Sequence, residues 1–309
     1  MKTPSTRLLL VLTLSIAAAG CGSDDEPSDA GNGGAGQTTS ASGAGAGGGG
    51  GEPSSTSSGA SGGASAGGMG GGGGRSVCPG AGKALEFDGD AQSKVTADLV
   101  DDLPTGNDSR TVELWAYFSG DESWRPEHSI TEYGMGTPNH VFGIDVDGYP
   151  DGGPGRLDPY TNGDGDLPFD LSPAVPKVGW LHLAWTYDGA THEFRFTVDG
   201  VVGNSKTIDH DLPTTASPIA IGAANVFGNE GFTGKIDEYR VWNVARTEAE
   251  IAANKDVLIG PDEPGLVAYY HFDEGSGTTA EDAAKGHTAM FASDTPPVWV
   301  DSDLVLTCP

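Results

Sequence analysis

Between Lys83 and Val244 the chain is written in short runs whose side chains alternate, separated by Gly, Pro, Asn and Asp. In His192–Val198, Phe194, Phe196 and Val198 share one parity, while Glu193, Arg195 and Thr197 take the other, the period of a half-buried strand. Asp199-Gly200 follows, the strongest short hairpin signal, and Val201 and Val202 open the return strand. Ala84–Phe87, Thr111–Phe118, Trp180–Tyr187, Ile219–Gly222 and Gly234–Trp242 predict further strands, with 119–170 as a long loop region. Strands of this length and spacing predict an all-β, two-sheet antiparallel sandwich of jelly-roll type. One short helix interrupts the pattern. Thr247-Glu248-Ala249-Glu250 is a capping box, and the helix it starts runs three turns at most before Asn254 and Pro261.

The alternation is missing before residue 77. Lys2 and Arg7 precede the apolar run Leu8–Ile16, which leads through Ala17-Ala18-Ala19-Gly20 to Cys21, a secretory signal over residues 1–20. The run is too short for the ~20 apolar residues that span a bilayer. Ala18-Ala19-Gly20-Cys21 resembles the bacterial lipobox, which implies that Cys21 is acylated and is the only attachment to the membrane. Gly22 stands where an inner-membrane retention signal has Asp, so the resemblance implies an outer-membrane or surface location. Residues 22–76 carry 22 of the chain's 50 glycines and cannot bury enough apolar surface to fold. Residues 21–76 therefore predict a disordered tether with a root-mean-square span of roughly 40 Å. The Gly59-Ala60-Ser61-Gly62-Gly63 match to a nucleophile elbow lies in this segment, without the strand and helix such an elbow needs.

Removing the tether sharpens the charge. Residues 77–309 hold 13 Lys+Arg against 39 Asp+Glu. A net −26 argues against nucleic acid or anionic lipid as partners and favours solubility and cations. With Cys21 assigned to lipid, Cys78 and Cys308 remain at the two ends of the non-repetitive region and predict a disulfide. Such a bridge makes the termini of 77–309 neighbours, as in one closed, monomeric domain.

Five segments in order are similar to the LamG-like jelly-roll family of the concanavalin A-like lectin/glucanase superfamily. They are Ala84-Leu85-Glu86-Phe87-Asp88-Gly89, Thr111–Trp115, Trp180–Gly189, Val198-Asp199-Gly200 and Gly234–Asn243 with its following helix. Gly265–Gly277 also resembles the family, which implies that 265–309 folds back to complete the sandwich; a truncated second module is the alternative. The resemblance implies a structural Ca2+ held by Asp88, the Gly89 carbonyl and Asp237. It also implies carbohydrate-related function.

Catalytic patterns are missing from single segments. The glucan-cleaving relatives carry Glu-x-Asp-x-x-Glu on one strand, but Glu113 is followed by Trp115 and Glu193 by Arg195. His192-Glu193 continues to Phe196 and does not complete a zinc helix motif. Asn162–Asp166 spaces oxygens as an EF-hand does, but has Leu167 in place of the turn glycine. Trp124 and Tyr133, in the loop region, are the candidate ligand contacts, whereas Trp115, Trp180, Trp185 and Trp242 fall in strands and are expected in the core. The chain is thus expected to be a non-catalytic, surface-tethered binding or adhesion module for a glycan or surface protein. A polysaccharide hydrolase with an unrecognised site and a purely structural envelope protein are the alternatives.

Overall fold

A computed structural model describes residues 82–308, apart from 100, 120–127, 148–155, 171–177, 226, 227 and 229. Two antiparallel sheets form a sandwich. The first runs β10 (Val201–Thr207), β9 (Glu193–Val198), β8 (Gly179–Asp188), β3 (Arg110–Phe118), β12 (Thr233–Trp242), β1 (Lys83–Asp88) and β16 (Val298–Asp301), with β13 (Leu266–Tyr270) also paired to β12. The second runs β14 (Thr279–Ala280), β15 (Ala289–Phe291), β2 (Val95–Ala97), β11 (Ile219–Ile221), β4 (His128–Gly134), β5 (Val141–Asp147), β6 (Arg156–Tyr160) and β7 (Phe169–Asp170). The segment from residue 265 onward thus supplies strands to both sheets.

The expected hairpin closes with Val198 opposite Val201, and Asp199 and Gly200 both take positive φ (51° and 80°). Two positive φ values in a two-residue loop are what a right-twisted hairpin requires. The helix α1 (Glu248–Asn254) has its capping box in place: Thr247 Oγ1 accepts from the Glu250 amide, and Glu250 Oε2 accepts from the Thr247 amide at 2.7 Å. Region 119–170 is not a long loop, because it carries β4, β5, β6 and β7. Glycine, proline and acidic residues interrupt the alternation there. Pairing across the sheet, rather than local propensity, makes these residues strands.

Trp185 of β8 joins the layers. It stacks at 5.4 Å on Phe142 of the second sheet and at 5.1 Å on Phe194 of its own. A bulge in β12 between Asp237 and Arg240 divides its edge: β1 pairs with Thr233–Ile236, and β13 with Tyr239–Trp242. Glu238 sits in the bulge at φ 52°.

Candidate functional site

The outward parity of the first sheet lines up polar and aromatic side chains across four strands. Glu86 of β1 pairs with Lys235 of β12, Lys235 with Tyr117 of β3, and Tyr117 with Trp180 of β8. At ~4.8 Å per strand this row spans about 14 Å. Lys235 Nζ lies 4.9 Å from the centre of the Tyr117 ring, and the Trp180 ring meets Tyr117 nearly edge-on at 5.4 Å. Trp180 is oriented by donating its indole N–H to Asp303 at 2.7 Å. Glu86, Lys235 and Tyr117 of the row, but not Trp180, line a cleft of about 310 Å³ together with residues that include Asp88, Ser119, Thr233, Pro296 and Val298. That lies at the small end of ligand-site volumes. Gly89 shapes its wall: at φ 86° its amide donates to Phe232, and a Cβ there would lie 2.5 Å from Thr233 Oγ1. One aromatic face with a cation, two carboxylates and two hydroxyls offers apolar contact together with donors and acceptors.

Behind the row, the same outer face is buried under α1 and the C-terminal segment. Glu113 accepts from Arg246 at 2.6 Å and from the Trp242 indole at 2.7 Å, and Trp115 donates to the Lys255 carbonyl at 2.9 Å. Glu238 is held by Arg240, Tyr269 and His271. His182, buried beside Glu113, has its pKa held well below the ordinary histidine value, first by burial and then by the charges of Arg240, Lys255 and Arg246. Charged groups here are largely answered by fixed partners, and they anchor the helix rather than face solvent.

The residues expected to hold Ca2+ are not brought together. Asp88 pairs with Thr233, whereas the β1–β12 register puts Asp237 four residues further along, about 13 Å away at ~3.3 Å per residue. Asp88 is exposed and accepts the Asp90 amide at 3.0 Å in its own turn. Asp237 is buried, accepts from Ser302 Oγ at 2.8 Å and from the Glu238 amide at 2.9 Å, and has its pKa raised well above the usual range by burial and then by Glu238. A single ion cannot bridge them. Among the described residues no group of three or more His, Cys, Asp or Glu side chains forms a metal cage.

Tyr133 is also relocated. It is 1% exposed, donates to the Pro104 carbonyl at 3.1 Å, accepts from Arg110 at 3.2 Å and packs on Phe142. The inward parity of β4 makes it core, so it cannot be a ligand platform. Of the strand tryptophans only Trp185 fills the space between the sheets. Trp115 and Trp242 are buried on the outer face, and Trp180 is half-exposed in the row. The Asn162–Asp166 loop is closed by Asp166, whose Oδ1 accepts the Thr161 and Gly163 amides at 2.8 and 2.9 Å. Trp124, Cys21 and Cys78 lie outside the described residues. No helix among the described residues is long and apolar enough to cross a membrane.

Comparison with known proteins matches residues 88–252, more than half of the chain, to a laminin G-type family model described as the concanavalin A-like lectin/glucanases superfamily. No curated protein matches by sequence. Among solved structures, a candidate carbohydrate-binding protein from Bacteroides ovatus ATCC 8483 aligns with TM-score 0.54 at 20% identity, over 73% of this chain and 61% of that one. A heptameric SAP-like pentraxin from Limulus polyphemus aligns with TM-score 0.40 at 15% identity, over 55% and 80%. The sialidase CBM40 of Ruminococcus gnavus aligns with TM-score 0.41 at 13% identity, over 56% and 98%. The first likeness establishes a shared fold, and the chain spans 61% of that protein's length.

Proposed function

The chain belongs to the concanavalin A-like lectin/glucanases superfamily, and on that premise we propose that it is a non-catalytic glycan-binding module carried on the cell surface. The observation that carries this is the Glu86–Lys235–Tyr117–Trp180 row beside the 310 Å³ cleft. Sugars present C–H faces that pack on rings and hydroxyls that need both donors and acceptors, and the row supplies each kind. The net −26 of residues 77–309 disfavours polyanionic glycans and favours neutral or basic ones.

Binding of the purified chain to an array of neutral, basic and acidic glycans tests this. Tyr117→Ala is expected to weaken binding about tenfold, or ~1.4 kcal/mol, with little change in melting temperature because the ring is half-exposed. No binding to any glycan, or full affinity in the variant, would overturn the reading. Export by residues 1–20, acylation of Cys21, the 21–76 tether and the Cys78–Cys308 bridge belong to the same proposal. Loss of palmitate labelling and of membrane association in Cys21→Ala is the expected result.

A further inference from the structure

The outward parity of the second sheet places a group of carboxyls that no single segment of sequence reveals. Ser129 of β4 pairs with Asp145 of β5, and Asp145 with Asp158 of β6, so the three side chains share one face. The opposite parity of β5, Phe142, Ile144 and Val146, lies in the core. In the next row Glu132 and Tyr160 flank Gly143. A Cβ on Gly143 would lie 2.6 Å from the Tyr160 ring, so the glycine lets the phenol lean across to donate to Glu132. The other oxygen of Glu132 accepts the Asn225 amide. Glu132 is therefore fully engaged.

Asp145 is not. It is 8% exposed and its Oδ1 has no hydrogen-bond partner. Opposite it, Ser129 is fully buried and its Oγ also lacks one. An unsatisfied buried acceptor is costly, and polar groups in folded proteins are rarely left so. The surroundings point to what would satisfy them. Burial raises the Asp145 pKa well above the ordinary carboxyl range; the like charge of Glu230 adds to this, the facing Ser129 hydroxyl partly opposes it, and Glu132 and Asp158 add further like charge. Arg156 lies 3.5 Å from Asp158, with its side chain one-third exposed.

We propose that Asp145, Ser129 and Asp158 form a site for a hard divalent cation such as Ca2+, on the outer face of the second sheet and separate from the Tyr117 row. Carboxylate and hydroxyl oxygens are the donors such an ion takes, and waters would complete its six to eight ligands. With only two carboxylates the site belongs to the weak class of extracellular Ca2+ modules, with Kd of roughly 10⁻⁴–10⁻³ M. The site is independent of glycan binding and of the Asp88–Asp237 pair.

The test is calorimetric titration and thermal melting of the whole chelator-treated chain with Ca2+ alone, against NaCl of matched ionic strength. At a Ca2+ concentration a hundred times Kd, the midpoint is expected to rise by about 5–10 °C beyond the NaCl control. Asp145→Asn should abolish that rise, Ser129→Ala should weaken binding about fivefold or more, and Asp88→Asn should change neither. Ser129→Ala is the mildest change in shape and keeps the test open if Asp145→Asn does not fold. No heat and no shift in the unaltered chain would overturn the proposal. So would a shift that survives Asp145→Asn, or an unchanged Ca2+ affinity in Ser129→Ala.

Discussion

Arg246→Met removes the guanidinium that lies 2.6 Å from Glu113, in a place where the two side chains are 5% and 0% exposed. The Trp242 indole would still donate to Glu113 at 2.7 Å, but the carboxylate would lose its only ion-pair partner of opposite fixed charge at that distance. The arginine also stacks on Trp242 at 4.1 Å and donates to the Glu250 carbonyl at 3.2 Å, so it ties α1 to the sheet. Breaking a buried pair from one side costs about 3–5 kcal/mol, because a desolvated charge is left behind. For a folded region of this size that is a fall in melting temperature of roughly 6–20 °C. Replacing both partners, Glu113→Leu with Arg246→Met, removes the stranded charge and should recover most of the loss. Urea melts of the two single variants and the double variant, analysed as a cycle, measure the coupling directly. A double variant as unstable as the sum of the singles would refute the idea that charge burial, rather than packing, dominates here.

Other expected outcomes follow from particular contacts. Trp185→Ala should cost about 3–5 kcal/mol by opening the space between Phe142 and Phe194. Trp185→Phe should cost far less, because it also removes an indole N–H that has no acceptor, and equal losses in denaturant melts would refute this. The raised pKa of Asp237 means that the folded state binds its proton more tightly than the unfolded state does. Its contribution is therefore fully present below the unfolded carboxyl value near 4 and declines as pH rises from there toward the folded pKa. Asp237→Asn, which keeps an acceptor for the Glu238 amide and a partner for Ser302, should melt higher than the unaltered chain at pH 8 and alike at pH 4. His182 has the opposite sign: its folded pKa is lowered, so stability is lost as pH falls below about 6.5, and His182→Gln should flatten that limb of the stability curve. Thr247→Ala should lower stability by about 1 kcal/mol through loss of the cap, and an unchanged midpoint would mean that the α1 terminus frays without consequence.

The strands legible in the sequence are those whose two faces differ. β9 shows its alternation because one face meets the core and the other is partly solvated. β3 is legible as a strand, but its faces are not. Glu113, Trp115 and Tyr117 look no less like core than Val112, Leu114 and Ala116, because most of its outer face is covered by α1 and the C-terminal segment. Trp180 and Tyr117 therefore gave no sign of being half-exposed. The region 119–170 hid four strands, since β5 alternates around a glycine and two aspartates.

Sequence by itself determined the all-β class, the position of the hairpin and the helix cap. These rest on local chemistry: the period of two, the φ preferences of Asp-Gly and the capping box. Tertiary structure alone decided which residues meet. Strand register separated Asp88 from Asp237, β4 parity turned Tyr133 inward, and pairing of three strands gathered Ser129, Asp145 and Asp158. A slip of one residue in any pairing would have reversed those outcomes, because neighbouring side chains on a strand point to opposite faces.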